Sequence, residues 1–176
     1  VVKNTVLMPG SLLFILCGFL LLLPGISAQG ESNMKLSSPE FEHQKLIPQK
    51  FTCQGKKINP ELIIEDIPVQ AKSLALIIED PDAVGGNFVH WVLYNIPVTN
   101  RIEENTIPGK QGSNSLGGLG YVSPCPPTGA HRYFFKIYAL DKMLDYDDGL
   151  SKPELEKEIT AHLLDQAELI GLYQKK

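Results

Sequence analysis

Two apolar runs near the middle of the chain set its pattern. Ser73-Leu-Ala-Leu-Ile-Ile-Glu79 is continuous and reads as a fully buried strand, and Phe88-Val-His-Trp-Val-Leu-Tyr-Asn95 reads as a second central strand. In the second run Val89, Trp91 and Leu93 alternate with His90, Val92 and Tyr94, which predicts one face carrying His90 with Tyr94 and an opposite face carrying Trp91. Between the runs lies Asp80-Pro-Asp-Ala-Val-Gly-Gly-Asn87, a turn sequence. Around this pair the pattern predicts short strands at Phe51–Cys53 and Leu62–Ile64 and a strong one at Tyr133–Leu140. A helix is predicted from Ser151, with Glu154 completing a capping box, to about Asp165, its buried face formed by Leu155, Ile159 and Leu163. The segment from Ala167 to Tyr173 is either a last strand or more helix, and Gly171 argues against helix. Strands that no regular helices separate imply a mainly β domain built on antiparallel sheet.

Two segments fall outside this pattern. Residues 97–123 contain no long apolar run and several glycines and prolines, so they read as a long loop of the kind that often carries function. Residues 121–132 follow as Tyr-Val-Ser-Pro-Cys-Pro-Pro-Thr-Gly-Ala-His-Arg, where three prolines restrict the backbone to one shape. At the other end, Ser11–Leu23 is an unbroken apolar run after a single charge, Lys3, and before the small residues Ile26-Ser-Ala28. That is the pattern of a secretory signal peptide over residues 1–28, with an uncleaved anchor as the alternative. Residues 29–35 then form a polar leader to a domain over 36–176, and the location implied is periplasmic or secreted.

The 176-residue chain carries 16 basic and 20 acidic side chains, and without residues 1–28 its net charge is −5. An acidic balance with no basic cluster excludes an ordinary nucleic-acid binder. Cys53 and Cys125 remain in the exported part, where a disulfide is permissible; two separate buried thiols are the alternative.

The candidate chemistry gathers at strand ends. Asp80 and Asp82 close the first central strand, and His90 returns toward them along the next. A nearby carboxylate favours imidazolium at His90, and an imidazolium is a good partner for phosphate. His131 lies at the end of the proline-rich loop, and Arg132 next to it could supply a guanidinium fork or a buried salt bridge to an acid. The four Asp and His positions match no compact metal motif, no serine sits in a nucleophile turn, and no phosphate loop is present, so neither a metal nor another cofactor is called for. Cys125 as a nucleophile is disfavoured by its flanking prolines.

Taken together, Asp80-Pro-Asp-Ala83, His90-Trp91 and Pro126-Pro127-x-Gly-x-His131-Arg-Tyr133 resemble the phosphatidylethanolamine-binding protein family, and in particular its bacterial Raf-kinase-inhibitor-like branch. Phe51-Thr-Cys-x-Gly55, Tyr94-Asn-Ile-Pro97 and Tyr138-Ala-Leu-Asp141 fit the same branch. The resemblance implies a large central antiparallel sheet, a smaller second sheet and a C-terminal helix. It also implies a small pocket for phosphate-like anions and phospholipid head groups, lined by Asp80, Asp82, His90, Cys125, Pro126, His131 and Tyr133. In that reading both histidines donate to the anion, while the aspartates orient them or accept an ammonium group on the same ligand. Departures from the family pattern are Gln54 for Asp, Glu61 for Pro, Val84 for Pro and Ser123 for Gly. The expectation is a non-enzymatic binding protein. The alternatives are an interaction module acting through residues 97–123 and, further off, a hydrolase using the Asp/His cluster.

Overall fold

The computed structural model describes residues 1–2 and 33–176, and residues 33–176 belong to one compact unit. The signal-peptide reading and residues 29–32 of the leader lie outside the described residues. The rest of the leader does not stay irregular: Lys35–Ser37 form the first strand, β1, and Lys45–Leu46 the second, β2. The following strands are β3 (Leu62–Glu65), β4 (Ser73–Asp80), β5 (Phe88–Ile96), β6 (Arg101–Ile102), β7 (Lys110–Gln111) and β8 (Ala130–Leu140). Helix α1 (Lys152–His162) and strand β9 (Leu163–Gln174) complete the chain. Strands β6 and β7 are short pairings inside the stretch predicted as one long loop.

Six strands form a large sheet in the order β2-β9-β8-β4-β5-β7, antiparallel except for β2 against β9, and β1-β3-β6 form a smaller antiparallel sheet. Strand β4 lies at the centre of the large sheet, and every one of its residues is buried. Its even residues Leu74, Leu76 and Ile78 join Trp91, Leu93, Phe135 and the small sheet's Leu62 and Ile64 in one core. Its odd residues Ala75 and Ile77 pack with Val92, Tyr94 and the Leu155 and Ile159 face of α1 in a second core. Period-two alternation on one strand thus supplies both layers.

Two predicted elements differ. Phe51–Cys53 is not a strand: Gln49–Phe51 form a 3-10 turn, in which Pro48 and Gln49 carbonyls accept from the Phe51 and Thr52 amides. The Thr52 hydroxyl also donates back to Gln49, and Gly55 comes so close to Gln49 that a Cβ there would overlap its carbonyl. Side-chain capping and a tight turn outweigh the strand propensity of Phe and Thr. The helix begins as predicted, with Glu154 Oε2 accepting from both the Ser151 amide at 2.9 Å and its hydroxyl at 2.6 Å. It stops at His162, earlier than Asp165, because Leu163 pairs with Leu140 and opens β9; Leu163 is therefore exposed rather than on the buried helix face. Gly171 falls within that strand, where Ile47 and Phe41 leave no room for a Cβ.

Candidate functional site

The register between β4 and β5 slips at their pocket end. Ile78 pairs with Trp91, yet Glu79 pairs with Val89, so His90 is an extra residue in a β-bulge. The slip corrects the predicted face. Tyr94 belongs to the core under α1, whereas the His90 ring packs at 4.8 Å from Phe88 and 5.2 Å from Tyr133, on the side of the other core. Released from the ladder, His90 pairs with the proline-rich segment. Its carbonyl accepts from the Val122 amide at 2.9 Å, and its Nδ1 donates to the Val122 carbonyl at 2.5 Å.

That segment forms one wall of a cavity of about 240 Å³, lined by Asp80, Val84, Phe88, His90, Val122, Ser123, Cys125, Pro126, His131 and Tyr133 among others. Cys53 and Cys125 are joined in a disulfide, with their Cα atoms 5.4 Å apart, and the Cys53 amide donates to the Pro124 carbonyl at 3.0 Å. The Tyr121 hydroxyl adds a bond to the Phe51 carbonyl at 3.1 Å. Three ties to the 49–55 turn therefore hold the wall. Across the cavity, β8 contributes His131 and Tyr133.

Asp80, 3% exposed, is the organising charge. Its Oδ2 accepts from His131 Nδ1 at 2.7 Å, and its Oδ1 accepts from the Asp82 amide at 2.8 Å. Asp82 itself does not line the cavity. It accepts from the Arg132 amide and Nε at 2.9 Å and from Nη2 at 2.6 Å, and this fork holds its carboxyl at about 2, well below the usual range. The expectation that Asp82 faces the ligand or a histidine is thereby corrected: the next residue after His131 supplies a better partner. The expected imidazolium at His90 is corrected too. Asp80 is spent on His131, and burial lowers the His90 pKa against the opposing pull of the Val122 carbonyl and Asp80.

With Nδ1 of each ring engaged, Nε2 of His90 and of His131 has no partner and faces the cavity both residues line. The Tyr133 hydroxyl is buried beside Asp80. It is the one buried side-chain polar atom among the described residues without a hydrogen-bond partner, and burial pushes its pKa up, with the nearby Asp80 charge adding to the shift. Buried polar atoms are ordinarily satisfied, so such an atom on a cavity wall marks a place for a ligand or water. A larger groove of about 660 Å³ runs between Met34–Leu36 and Gln166–Glu168. Its two lysines are already paired, Lys35 with Asp66 and Lys136 with Glu79, so it lacks the convergent chemistry of the smaller cavity.

Comparison with known proteins shows the family. Residues 37–174 match the family model described as phosphatidylethanolamine-binding protein. The chain belongs to the phosphatidylethanolamine-binding protein family. It is 43% identical over 150 residues to a UPF0098 protein of Methanothermobacter thermautotrophicus, covering 81% of this chain and 99% of that one. A UPF0098 protein of Chlamydia muridarum is 44% identical over 149 residues, with 81% and 99% covered. The crystal structure of CT736 from Chlamydia trachomatis, described as a putative family homolog, superimposes with a TM-score of 0.80 at 40% identity, covering 83% of this chain and all of that one. YbcL of E. coli, described as a new member of the mammalian family, superimposes with a TM-score of 0.75 at 26% identity, covering 82% of this chain and all of that one. The two sheets and the helix near the C-terminus match the fold of those solved structures. Sequence reasoning missed the bulge at His90; it offered Arg132 as a guanidinium fork or salt-bridge partner for an acid but did not name Asp82 as that acid.

Proposed function

We propose that this family member is an exported, non-enzymatic binding protein whose pocket takes a small phosphate-bearing ligand, such as a phosphoethanolamine-type head group. The observation that carries the reading is that His90, His131 and Tyr133 line one cavity of about 240 Å³, with the buried Asp80 holding His131 from behind. Asp80 accepts from His131 Nδ1 and so orients the ring, and His131 and Tyr133 are the side chains of β8 that line the pocket with it. Titration calorimetry with phosphoethanolamine tests this. His131→Ala is expected to weaken binding about 30-fold, the worth of a hydrogen bond to a charged group, and His90→Ala is expected to weaken it as well. Equal binding by wild type and both variants contradicts the assignment.

Export rests on the apolar run at residues 11–23, and the Cys53–Cys125 disulfide suits an oxidising compartment. N-terminal sequencing of the protein recovered from outside the cytoplasm is expected to begin near Gln29; a chain recovered only with residues 1–28 attached contradicts cleavage.

A further inference from the structure

We propose that the pocket end of the large sheet docks on an electrically neutral phospholipid surface, with Leu116, Leu119 and Val84 entering the lipid. The head group at the centre of that contact rests on the pocket reading above; the surface stands on its own observations. After β7 the chain keeps following β5 toward the pocket. The Gly112 amide donates to the Val92 carbonyl at 2.9 Å, and the Ser115 amide donates to the Val89 carbonyl at 3.0 Å. On the way back the Val122 amide donates to the His90 carbonyl at 2.9 Å. The loop from Ser115 to Val122 is therefore rooted on two adjacent residues of β5, and the second of them lines the cavity. Its tip continues past Val89 toward the Phe88 end of the strand. The turn that carries Val84 leaves the sheet at that same end, where Asp80 pairs with Phe88, and Val84 lines the cavity mouth.

The tip is a built structure. The buried Asn114 spends its side chain on it: Oδ1 accepts from the Leu116 amide at 3.0 Å and the Gly118 amide at 3.3 Å, and Nδ2 donates to the Gly120 carbonyl at 3.1 Å. Yet the leucines it presents meet no core. Leu116 is 71% exposed, Leu119 49% and Val84 86%. Single exposed aliphatic side chains are ordinary, but these three share one end of the sheet and surround a cavity. The surface they stand on is also uncharged. Residues 83–100 and 113–131 contain no Lys, Arg, Asp or Glu, although one residue in five of the whole chain is charged. Arg132, at the border, is bound by Asp82. This rim has no basic cluster to attract an anionic membrane, and a net charge of −5 beyond residue 28 is repelled by one. A zwitterionic bilayer fits both features: its interface takes up aliphatic side chains, and its phosphates lie at the level of the pocket.

Vesicle co-sedimentation of the protein from Gln29 onward, which holds both cores, tests the surface, and calorimetry with phosphoethanolamine in solution tests the pocket separately. Wild type is expected to bind vesicles of phosphatidylcholine and phosphatidylethanolamine, and to bind them less well when phosphatidylglycerol is added. The double variant Leu116→Ser, Leu119→Ser is expected to lose about 30-fold in vesicle binding while it binds phosphoethanolamine within about twofold of wild type. Leu116→Trp is expected to bind vesicles at least as tightly as wild type, with its emission shifting to the blue. Vesicle binding that is unchanged in the double serine variant, or strengthened by phosphatidylglycerol, overturns the docking surface. A wild type that binds phosphoethanolamine but no vesicles also overturns it and leaves the pocket standing. Vesicle binding that depends on the leucines, without phosphoethanolamine binding, supports the surface and overturns the pocket reading.

Discussion

Glu79 and Asp80 are neighbours on one strand, both acidic and both almost fully buried, yet they face opposite layers and differ in how they are satisfied. Glu79 accepts from Lys136 at 2.6 Å, from Lys152 at 2.5 Å and from Asn87 at 2.6 Å. Those bonds link β8, the first turn of α1 and the turn after β4, and every partner is internal. Asp80 also has its bonds filled, but one goes to a histidine whose far nitrogen opens on a cavity. The first acid completes a structural cluster. The second ends a relay whose last atom has no protein partner. What separates a structural buried charge from a functional one here is the state of the partner's other end, not the burial of the charge.

Substitutions at the two positions probe that distinction. Glu79→Ala is expected to lose about 3 kcal/mol of stability in urea unfolding, since it breaks a paired buried charge, while ligand affinity stays within about twofold. Asp80→Asn is expected to do the reverse: it turns an amide toward His131 Nδ1 and weakens phosphoethanolamine binding about 30-fold, with about 1 kcal/mol lost in stability. Equal effects of both changes on stability and on affinity would erase the comparison. The smallest expected effect is in pH. Burial alone would raise the Glu79 carboxyl, but Lys136, Lys152 and Asn87 hold it at about 2, below its ordinary 4.5. A depressed carboxyl contributes stability that is present above pH 4.5 and lost as pH falls toward 2. The urea midpoint should drop across that window, and less steeply in Glu79→Gln. Asp82 titrates over a similar range through Arg132 and should account for part of the remaining slope.

The sequence made the gathering of the site legible and its wiring much less so. Asp80 and His90 stand at the facing ends of two apolar runs, and the proline-rich segment delivers Cys125, Pro126, His131 and Tyr133, so their meeting follows from strand pattern and family motifs together. The orientation of His90 does not follow, because a one-residue bulge reverses every face assignment beyond it and leaves no mark in the alternation of Val89 to Tyr94. Glu79 read as the end of a buried strand; its lysine partners lie 57 and 73 residues away and only tertiary packing brings them together. The helix end was obscured for a related reason. Leu163 continues the i, i+4 face of α1 in sequence, but pairing with Leu140 outweighs one more turn of helix.

The central claim is that an anion sits among His90, His131 and Tyr133. Nitrogen NMR of the imidazole rings during a titration with phosphate tests it most directly, because His43 and His162 lie outside the cavity and serve as internal references. The account predicts that the Nε2 resonances of His90 and His131 move together and saturate while those of His43 and His162 hold still. Movement confined to His43 and His162, or no movement of either cavity ring at high phosphate, would contradict it.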